Sequence, residues 1–194
     1  MKLTDSIYMQ LREEIFNAKY KPNALITERQ IAEKYGTSKL TAGEVLQRLC
    51  SEGHLTSYPR SGYMVTVLTP AEINQLNRFR TVVESLVLEI VCAECSGEEI
   101  RGLWQLIDSH HTQERSFAEQ NRHFHMGLAE LTHDRFIISA LTEILGSLSR
   151  VEQNVSSLFV DSWQDEHKHI LDALARRDIA AAKRALLADL GQMA

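Results

Sequence analysis

The stretch RQIAEKYGTSKLTAGEVLQRL, residues 29–49, joins two short helical patterns at a Gly-Thr-Ser corner. The second pattern opens on Ser38, Lys39 and Thr41, whose hydroxyls and ammonium can hydrogen-bond base edges and phosphates. Spacing supports a helix-turn-helix. Ala32 is small where the second helix must cross the first, and Gly36, four residues on, tolerates the positive φ of the turn. Ala42 and Val45 then face the first helix, while Ser38, Lys39, Thr41, Gly43 and Glu44 point outward. Residues 38–41 lie at the end that enters a groove. A plain helical hairpin would show the same periodicity, but a strand hairpin follows at the place where a DNA-binding wing belongs.

A second group with chemical potential is Arg80, inside the apolar segment FRTVVESLVLEI. A guanidinium buried there needs an anionic partner. Glu84, four residues later, is one such partner. Cys92 and Cys95 have the C-x-x-C form, but no second Cys/His pair of matching spacing exists, so they read as core thiols. With Cys50 they make an odd number of cysteines, which fits a reduced, cytoplasmic chain.

These residues need elements to hold them. Ile7, Leu11 and Ile15 mark a first helix that Thr4 or Asp5 can cap. Thr27 and Gln30 form a capping box for the second, Gly36 ends it, and Thr37 or Ser38 caps the third. HLTSY and GYMVTVL, joined by Pro59-Arg60-Ser61-Gly62, read as a two-stranded hairpin. Residues 1–69 are therefore expected to form a winged helix-turn-helix. Pro70 suits the first turn of a helix, and residues 70–194 then read as an all-helical bundle of about six helices. Breaks are expected near Ser96-Gly97, from Asp108 to Ser116, at Thr132-His133-Asp134 and at Asp161-Ser162. The fold class is mostly α.

Charge divides along the same line. The chain carries a formal −5, yet residues 1–69 hold nine Lys and Arg against seven Asp and Glu. The acidity lies in residues 70–194, so nucleic acid is not excluded as a partner of the N-terminal part. The sequence holds no apolar run of membrane-spanning length and no signal-peptide pattern at its start.

Residues 11–65, from LREEIF through RSGYMV, resemble the N-terminal domain of the GntR family of bacterial transcription regulators. The resemblance implies that Arg29 contacts a phosphate, that Ser38, Lys39 and Thr41 sit at the groove, and that Gly62 lies at the wing tip beside the minor groove. Two positions depart from the family pattern. Lys39 and Gly43 stand where arginines are usual, which removes the forked donor suited to guanine.

Residues 72–193 resemble the helical ligand-binding domain, FCD, of the FadR branch, in its shorter VanR-like form. The similarity rests on EINQLNRFRTVVESLVLEI, NRHFHMGLAELTHDRFI and EHKHILDALARRDIAAAKRALLADL. It implies a divalent-metal site of one aspartate and three histidines, falling here on Asn121, His125, His167 and Asp189. Two positions match and two are changed. Two imidazoles, one carboxylate and one amide oxygen form a donor set for Zn²⁺, Ni²⁺ or Mn²⁺. Ligation by neutral imidazole predicts that metal affinity falls below about pH 6.5. The alternative is a polar, metal-free pocket. The resemblance also places Arg80 at the effector cavity. His123 and His169, two residues from the candidate ligands, belong to other helix faces, and His110 and His111 to a solvated helix end.

The expected function is a ligand-responsive regulator, a repressor that binds a pseudo-palindromic DNA operator as a homodimer and senses a small carboxylate effector. The alternatives are a metal-dependent hydrolase on the helical part, using His125, His167 and Asp189, and an interaction module whose DNA reading has lapsed at Gly43.

Overall fold

Helix α1 (Leu3–Phe16) buries Ile7, Leu11 and Ile15 on one stripe, as their spacing requires. In the computed structural model, which describes residues 2–17, 19–21, 23–108, 117–152 and 160–191, the chain divides into two units between Thr69 and Pro70. The start of α1 differs from expectation. Thr4 and Asp5 lie inside the helix, and Lys2 occupies the cap position without a side-chain cap bond.

Strand β1 (Leu25–Ile26) leads into α2 (Glu28–Tyr35). At the start of α2, the Thr27 hydroxyl accepts from the Gln30 backbone N–H and the Gln30 side chain accepts from the Thr27 N–H. Gly36, at φ +61°, ends the helix in the left-handed region. Ser38 caps α3 (Lys39–Ser51), whose Ala42, Val45, Leu46 and Leu49 are fully buried. Strands β2 (Leu55–Tyr58) and β3 (Gly62–Val65) form the expected antiparallel hairpin. The sheet has a third member, because β1 pairs with the outer side of β3 in the order β1-β3-β2. Two residues are too few to show the alternation by which a strand is read from sequence.

In the second unit, Pro70 opens α4 (Pro70–Glu94), followed by the short α5 (Gly97–Gly102) and α6 (Trp104–Asp108). Then come α7 (Phe117–Glu130), α8 (Arg135–Glu152), α9 (Val160–Ala175) and α10 (Ile179–Asp189). Their core includes Val87, Val91, Phe124, Leu141, Ile170, Leu174 and Leu186. Ser96 caps α5 with Glu99 as its capping-box partner, at the break expected there. The break expected near Asp161-Ser162 meets the start of α9, which begins at Val160 and includes both residues. Asp and Ser favour the first turn of a helix as readily as a loop.

Helix α4 packs against α7, α8, α9 and α10, so one long element touches every other helix that contributes to the polar site described below. Its C-terminal carbonyls are held from the α9–α10 turn. Arg177 donates from Nη1 to the Cys92 oxygen and from Nη2 to the Cys95 oxygen, each at 2.6 Å. Cys95 is buried and Cys92 half-buried; neither is disulfide-bonded. Among the described residues no helix is long and apolar enough to cross a membrane.

Candidate nucleic-acid interface and candidate metal centre

The surface expected to meet DNA is built from the starts of α2 and α3 and from the β2–β3 turn. These border a groove of about 370 Å³ lined by Glu28, Arg29, Lys39 and residues 57–63. Lys39 is the first residue of α3 and is exposed. Arg29 is exposed too, with its guanidinium held 2.7 Å from Glu33 one turn on. Ser38 and Thr41 are also exposed or half-exposed, but their hydroxyls lie 3.0 Å apart, and Ser38 Oγ accepts from the Thr41 N–H. They position the start of the helix before they can contact anything else.

Two expectations need correcting. Gly62 does not form the wing tip. It pairs with Tyr58 at φ +130°, and a Cβ on it would stand 2.6 Å from the Ile26 carbonyl oxygen. Glycine is required there by the close approach of β1. The exposed tip is Pro59-Arg60-Ser61, with Arg60 itself at φ +67°. Gly43 is not presented outward either. It is buried, and a Cβ there would meet Glu28 Oε1 at 3.1 Å. The Glu28 carboxylate covers it.

The second site lies in the helical unit. Arg80 and Glu84 project from α4, Asn121 and His125 from α7, His167 from α9 and Asp189 from α10. Arg80, Glu84, Asn121, His125 and His167 are buried, His167 at 0%, and Asp189 is half-buried as a residue with its side chain only 3% exposed. Arg80 Nε lies 2.7 Å from Glu84 Oε1, and the other Glu84 oxygen lies 2.7 Å from His125 Nδ1. His125 Nε2 faces Asp189 Oδ2 at 3.1 Å, and His167 Nε2 faces Asp189 Oδ1 at 3.3 Å. Arg80 Nη2 is 3.9 Å from Asp189. One ligand atom each from His125, His167 and Asp189 lie within 4.8 Å of one another. Asn121 is buried one helical turn before His125. His125, His167 and Asp189 thus lie together with Arg80 beside Asp189, and Glu84, one turn after Arg80, pairs with it.

What the sequence misses is the second role of Glu84 and the part played by Phe124. The Phe124 ring stacks on His167 with centroids 3.8 Å apart. The pair Glu84–His125 spans two helices, so no local spacing announces it. His123 and His169 are exposed, as their offsets imply, whereas His110 and His111 lie outside the described residues.

Burial and charge set the two imidazoles apart. Burial depresses the His125 pKa, but Glu84 and Asp189 together outweigh it and raise it to about 9. Burial against Phe124 lowers His167 to about 4, and the adjoining Asp189 offsets only part of that. Burial would raise both carboxylates, but the cations beside Glu84 and the imidazoles beside Asp189 hold them below their ordinary values. At neutral pH Arg80 and protonated His125 therefore balance Glu84 and Asp189, with His167 neutral.

Comparison with known proteins fits both units. Residues 3–65 match the bacterial regulatory proteins of the gntR family, and residues 75–192 match the FCD domain. The chain belongs to the GntR family, in its FCD-containing branch. YdhC of Bacillus subtilis (strain 168), an HTH-type transcriptional regulator, is 26% identical over 189 residues, or 93% of this chain and 84% of the relative. The Exu regulon transcriptional regulator of Escherichia coli (strain K12) is 26% identical over 208 residues, covering 95% and 80%. A GntR-type regulator from Rhodococcus sp. RHA1 superposes with a TM-score of 0.80 at 25% identity, over 97% of this chain and 93% of that one. E. coli McbR/YncC shares the fold with a TM-score of 0.86 at 16% identity, over 99% and 95%. This GntR protein is a DNA-binding transcriptional regulator with an effector-binding FCD domain, and its relatives are regulators rather than enzymes.

Proposed function

We propose that this regulator is a cytoplasmic homodimeric repressor that binds a pseudo-palindromic operator and senses a small carboxylate together with a divalent metal in the FCD domain. The observation that carries the sensing half is the convergence of Arg80, Glu84, His125, His167 and Asp189. Four helices commit ionisable groups to one place, and such a cluster is a weak device for stability alone.

The donor set fits a metal ion. Glu84 engages His125 through Nδ1, which directs Nε2 toward Asp189 and His167, an arrangement in which a carboxylate orients a ligating imidazole. His125, His167 and Asp189 would hold the ion, with the amide oxygen of Asn121 as a fourth donor. A bound divalent ion supplies a Lewis-acidic positive charge that accepts a carboxylate oxygen. Arg80 adds a second cationic contact, and its guanidinium can turn from Glu84 toward a ligand. Exchanging the His125 proton for a divalent ion leaves this cluster one positive charge in excess, and an anionic effector restores the balance. The 2.7 Å Arg80–Glu84 pair also supports a second reading, in which the same groups form a metal-free polar lock.

Elemental analysis separates the two readings. Chelator-free protein resupplied with Zn²⁺, Ni²⁺ or Mn²⁺ is expected to retain close to one ion per chain, and the His125→Ala and His167→Ala variants far less. Substoichiometric metal in all three would leave the metal-free lock.

The DNA half assigns phosphate contacts to Arg29 and Lys39 and groove contacts to the Ser38–Thr41 turn. Replacing Arg29 and Lys39 together by alanine is expected to weaken duplex binding and to reduce the salt slope by about one per lost contact. Titrations of labelled duplex at several salt concentrations provide the check. Unchanged affinity and slope would place the DNA surface elsewhere.

A further inference from the structure

Gly43 and Glu28 leave an unusual group on the DNA-facing side of the N-terminal unit. Glu28 is the first residue of α2, and its carboxylate rests on α3 where Gly43 has no side chain. The Tyr63 hydroxyl, from β3, donates to Glu28 Oε1 at 3.3 Å and holds the carboxylate from the wing side. Glu28 itself is exposed, and it borders the groove shared by Lys39, Arg29 and the wing turn. Among the described residues no cation pairs with it: Arg29 is engaged by Glu33, and Tyr63 is the partner that fixes Oε1.

A carboxylate accepts hydrogen bonds and donates none. Facing a duplex it is repelled by phosphate, so it is tolerated only where a donor lies opposite. In the major groove such donors are the exocyclic amino groups of cytosine and adenine; guanine and thymine offer acceptors there. We propose that Glu28, seated over Gly43 by Tyr63, is a specificity-determining residue that accepts a hydrogen bond from an amino-bearing base in each half-site. This rests on α3 being the reading helix. It goes further by giving the missing side chain at position 43 a purpose, since a Cβ there would press on the carboxylate at 3.1 Å.

The test is selection from a randomised duplex library with the full chain, followed by binding to the selected duplexes. Wild-type protein is expected to select cytosine or adenine at one position per half-site, with discrimination of about tenfold or more over guanine or thymine. Glu28→Ala should lose that preference at that position alone. Glu28→Gln, which keeps the shape and adds a donor, should shift it toward adenine. Gly43→Arg should pair with Glu28 and abolish the same preference or move it to guanine. If Glu28→Ala selects the same bases with the same discrimination, the proposal falls while DNA reading by α3 stands. A uniform gain in affinity for every sequence, with the selected site unchanged, would likewise overturn it and reduce Glu28 to a repulsive charge. If wild-type protein selects no sequence at all, the assignment of the reading surface falls as well.

Discussion

Glu84→Ala should destabilise the FCD unit of the metal-free protein by about 3–5 kcal/mol, the usual cost of removing one partner from a buried ion cluster. The size follows from position. Glu84 lies between two cations, 2.7 Å from Arg80 and 2.7 Å from His125, and all three are almost without solvent. Its loss leaves both cations facing each other across the space it filled, with Asp189 beside them. Denaturant unfolding of the metal-free protein measures the change, with Glu84→Gln as a variant that keeps the shape. A loss below about 1 kcal/mol would mean that the carboxylate is solvated.

The pH dependence of that stability has a definite sign. His125 is raised to about 9, so its contribution is full below the ordinary histidine range and is lost as pH rises through 9. His167 is lowered to about 4, so between about 6.5 and 4 the unfolded chain takes up a proton that the folded chain refuses, and stability falls. Glu84 and Asp189, held below their ordinary values, add a further loss in acid. The metal-free unit is therefore expected to be most stable near pH 6.5.

Metal affinity should follow pH over a different range. Imidazole must be neutral to ligate, and in the metal-free protein the His125 proton is retained up to about pH 9 by Glu84 and Asp189. Apparent affinity is thus expected to fall about tenfold per unit below pH 9, or about a hundredfold between pH 9 and pH 7. The unperturbed histidine value, which is all that sequence provides, puts the fall below about 6.5. Competition against a calibrated chelator at several pH values distinguishes the two. A flat response between pH 7 and pH 9 would remove His125 from the ligand set.

That displacement illustrates what the sequence does and does not expose. The helix-turn-helix is legible because its determinants are local. Thr27 with Gln30, Gly36 at positive φ and Ser38 over Thr41 each act within a few residues. The Arg80–Glu84 pair is legible for the same reason, at one helical turn. His125, His167 and Asp189 come from three helices, and only the resemblance brings them onto one list. Their protonation cannot be read that way, because it depends on which carboxylate touches which nitrogen. Gly43 shows the same limit. Helical periodicity turns it outward, yet the side chain of Glu28, from another helix, covers it. Gly62 marks a turn by composition, but what demands glycine is the Ile26 carbonyl of a strand too short to be recognised.

Occupation of the buried cluster is expected to govern DNA binding. The most direct test is the affinity of the protein for a library-selected duplex, measured chelated, metal-loaded, and metal-loaded with a panel of small carboxylates. Asp189→Asn serves beside it as the variant that keeps the side-chain shape. The expected result is that at least one carboxylate weakens duplex binding tenfold or more, roughly 1.4 kcal/mol of coupling. That effect should require metal and disappear in Asp189→Asn, whose own duplex affinity stays close to that of the unliganded protein. Duplex affinity that is identical in every state, with metal demonstrably bound, would contradict the account.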